Sequence, residues 1–244
     1  MDYVTLAAGK GTRMDNLGSY MQKCMYPLYG IPFLRYSIDN LIDSEEFSPA
    51  ADSITIVTGH FGEQIRAYFG DSYRDVSLRY VEQTEQKGTG HAVHTAAEAG
   101  SFDDTFIVWL ADTYVTSGMF DEIRRTVNDT ALTAAFHQCD QQHNERVNLN
   151  SERDTILQAW KGTDDYVEIG LWKLPPTLLD KMFARKVDEF RFLPAIQAAI
   201  EEGTPVSAVV ADEWVHLGGT EPSVRENLIH VTQRLLAELR TRAE

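Results

Sequence analysis

Glycines and cations cluster between positions 9 and 23, and these residue types together can bind phosphate. Gly9 and Gly11 lack side chains, so backbone N–H groups in this segment can approach a ligand closely. Lys10, Arg13 and Lys23 place three cations around the same segment. Because backbone N–H groups and nearby cations both stabilise a phosphate anion, the segment predicts a site for a nucleoside triphosphate.

Two common phosphate-binding motifs do not fit this segment. A P-loop needs a Gly-Lys-Ser/Thr ending after its spacer residues, and the run from Gly9 to Arg13 lacks that ending. The dinucleotide fingerprint needs a third glycine at the position that Met14 occupies. An NAD-dependent oxidoreductase is therefore disfavoured.

The segment resembles the signature of the sugar-1-phosphate nucleotidyltransferases, written L-A-A-G-x-G-T-R-M/L, with a Pro-Lys pair further along the chain. Lys23 corresponds to the downstream lysine, whereas Gln22 departs from the pattern because the family has proline there. Pro27, Gly30, Pro32 and Tyr36 continue the usual tail of the signature. The resemblance implies that Arg13 and Lys23 are catalytic. It implies that the nucleotide is bound by Leu6, Ala7, Ala8, Gly9, Gly11 and Thr12.

A second segment, QTEQKGTGHA from Gln83 to Ala92, resembles the base-recognition segment of the same family, Q-x-x-x-x-G-T-x-x-A. The Gln83 amide offers both a donor and an acceptor to a pyrimidine edge. Gly88 would bring the backbone close to the base, and Thr89 would cap the following helix. The sequence GTGHA most resembles that of the uridylyltransferases that act on hexose 1-phosphates. This resemblance implies UTP as the first choice of nucleotide and dTTP as the next.

Asp112 and His216 are the candidate metal ligands. Asp112 follows the apolar run Thr105 to Leu110, at the end of a strand, where open α/β sheets bind ligands. The family places its Mg²⁺-binding aspartate there, and a hard carboxylate oxygen suits Mg²⁺. His216 stands where relatives have a second acidic ligand, and imidazole suits Mn²⁺ or Co²⁺ better than Mg²⁺. His216 could instead contact a phosphate or be a packed histidine.

The residues expected to bind the acceptor depart from the family pattern. The family's Glu-Lys pair falls on Trp160-Lys161, and its N-T/A-G segment falls on Glu168-Ile169-Gly170. Trp160 would offer an aromatic platform, Glu168 would add a negative charge, and Gly170 would allow close backbone approach. These changes suggest an acceptor unlike an ordinary hexose. In the alternative interpretation, Trp160 is a core residue and the alignment shifts by one position.

Charge and composition limit the partners of the chain. The formal net charge of −15 argues against nucleic acid, which is bound by Lys and Arg. No apolar run approaches the roughly 20 residues of a membrane span, and no signal peptide is recognisable at the amino terminus. Two cysteines exclude a disulfide scaffold. We therefore expect a cytoplasmic protein whose partners are an NTP and a phosphorylated small-molecule acceptor; the oligomeric state is not readable.

Apolar runs and helical patterns alternate through the first half of the chain. Predicted strands include Val4–Leu6, Ser53–Thr58, Val76–Glu82 and Thr105–Leu110, with helices between them. This alternation predicts an α/β fold with a doubly wound, mostly parallel, Rossmann-like sheet. We expect one domain over residues 1–244. Residues 1–137 would bind the nucleotide, and residues 138–244 would supply a small β-rich substrate-side insertion, the acceptor site and a long terminal helix.

The function implied by the resemblance is transfer of a nucleotidyl group from an NTP to a sugar 1-phosphate, which gives an NDP-sugar and pyrophosphate. One alternative is cytidylyl transfer to a phosphorylated alcohol or phosphonate, which the changes at Trp160 and Glu168 favour. A second alternative is a non-catalytic regulatory subunit that binds a nucleotide sugar. Gln22 and His216 motivate that alternative. The presence of Arg13, Lys23 and Asp112 argues against it.

Overall fold

The structure, a computed structural model, describes residues 1–12, 18–100, 102, 104–136, 145–184, 192–218 and 223–241. Its strands are β1 (Asp2–Ala7), β2 (Pro27–Leu28), β3 (Ile31–Pro32), β4 (Ser53–Thr58), β5 (Ser72–Tyr73), β6 (Val76–Glu82), β7 (Phe106–Leu110), β8 (Ala131–Phe136), β9 (Arg146–Leu149), β10 (Ile156–Gln158), β11 (Tyr166–Leu174) and β12 (Ser207–Ala211). Its helices are α1 (Phe33–Ile42), α2 (Gly62–Phe69), α3 (Thr89–Ala99), α4 (Ser117–Arg125), α5 (Pro176–Ala184), α6 (Phe192–Glu201) and α7 (Ser223–Thr241).

Within these ranges, ten strands form one mixed sheet. The main path has the order β10-β9-β11-β7-β1-β4-β6-β5, while β8 pairs with β11 and β12 pairs with β8. Parallel pairing joins β1 to β4 and β7, β4 to β6, and β8 to β12. The antiparallel hairpin of β9 and β10 lies at the far edge and corresponds to the predicted β-rich insertion. The predicted α/β, doubly wound fold class is confirmed.

Helices cover both faces of the sheet, which explains why its central strands are continuous apolar runs. Apolar residues of α3, α5 and α6 pack in one cluster with Val4 and Val108 of the sheet. Those of α1, α2 and α4 pack in a second cluster with Ile56 and Trp109. Burial of each such large side chain contributes about 1.5–3 kcal/mol. No helix of the described ranges is long and apolar enough to cross a membrane.

Parallel pairing brings the carboxyl ends of four strands to one edge of the sheet. Ala7 at the end of β1 pairs with Thr58 of β4, and Thr58 pairs with Glu82 of β6. On the other side of β1, Leu6 pairs with Leu110 of β7. The chain segments that follow these strands therefore meet at one edge, where open α/β sheets bind ligands.

Gly170 marks the point where β11 changes neighbours. Residues after it pair with β7, residues before it pair with β9, and the ladder to β8 shifts register at the same place. Its φ of +88° favours glycine, and a Cβ there would lie 2.7 Å from Leu110 Cδ1. The close approach that the structure shows at Gly170 is thus to Leu110. Contact with an acceptor stays a prediction.

One local prediction is wrong. Thr89 does not cap α3: the N-cap position belongs to Gly88, the helix begins at Thr89, and no side chain caps it. Gly88 adopts a φ of +104°, which a threonine would adopt only with strain. The β2–β3 hairpin and β5 were not predicted, because strands of two residues leave no periodic pattern.

Candidate active site

A cleft of about 510 Å³ opens at the carboxyl edge of the parallel strands. It brings together most of the residues that the sequence singled out. Those that line it are Leu6, Ala7, Ala8, Gly9, Gly11, Thr12, Lys23, Gln83, Gly88, Thr89 and Asp112. Arg13 lies outside the described residues. Trp160, Glu168, Gly170 and His216 are described but do not line the cleft.

The cleft is locally cationic although the chain is acidic. Among the described residues that line it, Lys10, Lys23 and Lys87 are cations, and Asp112 is the single carboxylate. Lys87 is paired with Glu85 and Lys23 with Asp112, so a small positive excess remains at this edge of a chain whose net charge is −15. Such a distribution attracts an anionic ligand to the cleft.

Lys23 and Asp112 form an ion pair at the centre of the site. The Lys23 ammonium contacts Asp112 Oδ2, and the two side chains are 17% and 23% exposed. Burial by itself would raise the pKa of Asp112, but the Lys23 ammonium and its hydrogen bond outweigh burial and lower that pKa below its usual value. Asp112 is thus a carboxylate, as a metal ligand must be.

Gln22 connects the glycine-rich loop to the turn that carries Lys23. Its Nε2 lies 2.6 Å from the carbonyl oxygen of Ala7 and 3.0 Å from that of Gly9. Its Oε1 accepts a hydrogen bond of 3.1 Å from the Cys24 N–H, in the 3₁₀ turn Lys23–Met25. The Gln22 side chain is buried, so these bonds replace water that cannot reach the same groups. Gln22 thereby holds Lys23 beside the loop.

Gln86 binds the remaining carbonyl of the loop. Its Nε2 donates to the carbonyl oxygen of Ala8 over 2.6 Å, and the His60 N–H points at the same oxygen over 3.4 Å. With Gln22 on the neighbouring carbonyls, three successive carbonyl positions of the loop are hydrogen-bonded within the protein. These bonds fix the loop backbone through its carbonyl groups and use none of its N–H groups. The departure at position 22 was visible in the sequence, but no sequence signal indicated Gln86.

His216 lies next to Asp112 without lining the cleft. Residue His216 forms an isolated antiparallel bridge with Thr113, and its ring stacks on Trp214 with centroids 3.8 Å apart. The Gly218 N–H donates to His216 Nδ1 over 3.1 Å. A Cβ on Gly218 would meet both His216 Nδ1, at 2.9 Å, and Asp112 Oδ2, at 3.4 Å. Asn227 Nδ2 lies 3.3 Å from the other ring nitrogen, Nε2, so both nitrogens have partners within the protein. A ligand role for His216 stays a prediction.

The donor set fits a Mg²⁺ ion that keeps water and phosphate as most of its ligands. Asp112 supplies an ionised hard oxygen at the carboxyl edge. No group of three or more His, Cys, Asp or Glu residues that could hold a metal occurs among the described residues. A dedicated cage is not required, because Mg²⁺ is usually held by one or two carboxylates together with substrate phosphates.

The predicted acceptor residues lie in or near the core. Trp160 is half-buried and packs against the cluster that contains Val108. Glu168 is only 5% exposed, and its Oε1 accepts a hydrogen bond from the Gly170 N–H. Burial raises the pKa of Glu168 to about 8, so its carboxyl group is largely protonated at pH 7. The negative charge expected at Glu168 is therefore suppressed near neutral pH, and acceptor binding by these residues stays a prediction.

Comparison with known proteins gives a consistent set of matches. A model of the MobA-like NTP transferase domain matches residues 3–214. The chain is 28% identical over 225 residues to the UTP–glucose-1-phosphate uridylyltransferase AglF of Haloferax volcanii, covering 88% of this chain and 89% of that protein. It is 42% identical over 102 residues to the bifunctional protein GlmU of Symbiobacterium thermophilum, covering 42% of this chain and 18% of that protein.

A solved structure has the same fold over nearly the whole chain. It is a UDP-glucose pyrophosphorylase complexed with UDP-glucose, with a TM-score of 0.75. The match covers 95% of this chain and 98% of that chain, at 19% sequence identity. At this identity the similarity establishes the fold alone.

The bonds of Gln22 predict that its side chain supports both stability and ligand binding. We expect Gln22→Ala to lower the free energy of unfolding by about 1–3 kcal/mol, because buried carbonyls lose their donor. Binding of a nucleoside triphosphate should weaken as well, because Lys23 loses its anchor. Urea unfolding and calorimetric titration measure the two effects. Gln197→Ala, the same change far from the cleft, is the control and should leave binding unchanged. Wild-type affinity in Gln22→Ala would contradict this account.

The buried carboxyl of Glu168 predicts a pH-dependent stability. Because its pKa is raised from 4.5 to about 8 on folding, the folded state holds a proton that the unfolded state releases. The free energy of unfolding should therefore fall as pH rises from about 4.5 to about 8. Glu168→Gln removes this loss, so its advantage over wild type should be small near pH 5 and reach a few kcal/mol above pH 8.

Thermal unfolding from pH 5 to pH 9 measures this dependence. Glu152→Gln, in an exposed turn, serves as the matched control and should follow the wild-type curve. Parallel curves for wild type and Glu168→Gln would show that the Glu168 pKa is not raised.

Proposed function

The chain belongs to the MobA-like NTP transferase family and is a nucleotidyltransferase, and we propose that it transfers a nucleotidyl group from UTP to a sugar 1-phosphate. The resemblance recognised in the signature loop is thereby confirmed at the level of the sugar-1-phosphate nucleotidyltransferases. One observation carries the proposal: the glycine-rich loop, Lys23, Gln83 and Asp112 line a single cationic cleft.

In the proposed reaction, the phosphate oxygen of the sugar 1-phosphate attacks the α-phosphorus of the NTP. A new P–O bond forms, the bond between the α-phosphorus and the bridging oxygen breaks, and pyrophosphate leaves with the electron pair. The attacking phosphate is already an anion, so the reaction needs no base from the protein. Catalysis then depends on positioning and on neutralising the charge that collects in the cleft.

Residues of this chain supply those two contributions. The N–H groups of the loop, whose backbone Gln22 and Gln86 fix, would hold the triphosphate. Lys23 would stabilise the α-phosphate or the acceptor phosphate. Arg13, which the resemblance assigns to the β- and γ-phosphates, belongs to the proposal on the evidence of its position in the signature alone.

Asp112 would hold the divalent cation that the family implies, with Mg²⁺ as first choice and Mn²⁺ or Co²⁺ as alternatives. When bound, such an ion supplies charge neutralisation for the phosphates. In this structure the Asp112 carboxylate is paired with Lys23. The position of Lys23 lets its ammonium serve either the carboxylate or a phosphate in the same cleft.

The two halves of the chain would divide the substrates between them. We assign the nucleotide to residues 1–137, since the described part of that half supplies the loop and the Gln83 segment. We assign the acceptor to residues 138–244. The name of the relative AglF supports UTP and glucose 1-phosphate, and dTTP is our second choice. Because Trp160 is half-buried and Glu168 is protonated, the acceptors to be tested include modified sugar phosphates and other phosphorylated compounds.

Pyrophosphate release tests the proposal directly. Each of the four ribonucleotides and dTTP is combined with a panel of sugar 1-phosphates and phosphorylated alcohols, in Mg²⁺ and in Mn²⁺. We expect release with UTP and one sugar 1-phosphate, and its loss when EDTA removes the metal. Release only with CTP and a phosphorylated alcohol would replace this proposal with the cytidylyltransferase. Tight nucleotide binding without release from any pairing would favour a regulatory subunit.

Lys23 should carry a large share of the rate. Lys23→Ala is expected to reduce kcat for pyrophosphate release by roughly 10²–10³, because a pre-placed cation is lost. Lys23→Arg keeps the charge and should recover part of that loss. Lys181→Ala, at an exposed lysine paired with Glu202, is the control and should retain wild-type turnover. Near wild-type turnover in Lys23→Ala would remove Lys23 from the mechanism.

A further inference from the structure

Gln83 has both hydrogens of its side-chain amide engaged within the protein. Its Nε2 lies 2.9 Å from His91 Nδ1 and 3.3 Å from the carbonyl oxygen of Gly88. An amide NH₂ group has two donors, and these two partners use both. Gln83 lines the cleft, and no hydrogen bond among the described residues goes to its Oε1. Gln83 therefore offers a ligand an acceptor and no donor.

The surroundings of Gln83 oppose the flipped amide. Exchange of Oε1 and Nε2 would place an oxygen against the Gly88 carbonyl, which cannot donate. It would also place that oxygen against His91 Nδ1, which carries no hydrogen in the tautomer that accepts from Gln83. Of the two bonds that set the orientation, the one to His91 is shorter by 0.4 Å. His91 is thus the principal side chain that decides which atom of Gln83 meets a ligand.

His91 can act as this acceptor only while its imidazole is neutral. Burial and the nearby ammonium of Lys87 lower the pKa of His91 below its usual value, and His94 acts in the same direction. The carboxylates of Glu85 and Glu98 act in the opposite direction, but the pKa stays lowered. Near pH 7 the ring is therefore neutral, and Nδ1 can accept the Gln83 hydrogen.

We propose that His91 is the positioning residue that sets nucleobase selectivity, by fixing Gln83 so that the cleft accepts a base whose ring nitrogen carries a proton. Uracil, thymine and guanine have such an N–H on the edge that also carries their carbonyl groups. Cytosine and adenine have an unprotonated ring nitrogen at the corresponding place. The inference deepens the proposed function, because it takes from that function only the presence of a nucleobase beside Gln83.

The physical basis is an unpaired acceptor. A cytosine in the same position as uracil sets its N3 lone pair against that of Gln83 Oε1, and its 4-amino hydrogens lie one atom further along the ring edge. Leaving buried polar groups unpaired costs more than the net gain from forming the bond. A site built around a hydrogen bond therefore rejects the analogue that lacks the donor. If His91 no longer holds the amide, Gln83 can turn and present Nε2, and the discrimination declines.

Calorimetric titration of the whole chain with UTP and with CTP, without any acceptor, tests the inference. Wild type should bind UTP more tightly than CTP. His91→Leu should reduce that ratio by about fivefold or more, because the orienting bond is lost. His91→Asn should keep the ratio within about twofold of wild type, since the asparagine Oδ1 reaches the place of Nδ1 and accepts the same hydrogen.

His94→Leu is the matched control, one turn further along α3, and should leave the ratio unchanged. Titrations with GTP and ATP extend the comparison to purines. A wild-type protein that binds CTP as tightly as UTP, or a His91→Leu variant that keeps the ratio, would overturn the inference. A ratio that falls in His91→Leu and survives in His91→Asn would support it even if no acceptor gives pyrophosphate. The absence of pyrophosphate would then contradict the proposed transfer and leave the inference about His91 standing.

Discussion

Parallel pairing of β1 with β4 on one side and β7 on the other is the constraint on which the site depends. It forces the carboxyl ends of these strands, and of β6 beyond them, to one edge of the sheet. The chain segments that follow β1, β6 and β7 are far apart in sequence and line one cleft. Helices on both faces bury the strands and make this pairing stable. Strand pairing alone thus brings Gly9, Gln83 and Asp112 together.

Three glutamines then determine which polar groups the cleft presents. Gln22 and Gln86 donate to carbonyl oxygens of the glycine-rich loop and thereby fix its backbone. Gln83 uses its own N–H groups on His91 and Gly88, which leaves an oxygen for a base. The same side-chain chemistry thus fixes the loop backbone in one place and exposes an acceptor in another. For Gln83, the side-chain partner His91 does not line the cleft.

The sequence predicted the elements well because long apolar runs and helical periods are local signals. β4 and β6 begin and end where predicted, and the position of Asp112 followed from the strand before it. Other features depend on contacts across the fold. The engagement of His216 by Gly218 and the burial of Glu168 arise from segments that meet only in the folded chain. The sequence shows that Gln22 replaces the proline of the family motif. Only the structure reveals that Gln22 connects the glycine-rich loop to the turn that carries Lys23.

An acidic chain can serve phosphorylated substrates if its charges are separated in space. The cleft holds three lysines and the single carboxylate of Asp112 among its described residues, so the net charge of −15 must lie elsewhere. Pairing with Lys23 keeps Asp112 ionised and also reduces the repulsion it exerts on an anion. Under the proposed function, a divalent cation at Asp112 takes over that neutralising role and releases the Lys23 ammonium for phosphate. Metal and triphosphate should therefore favour each other's binding, because each supplies the charge that the other needs.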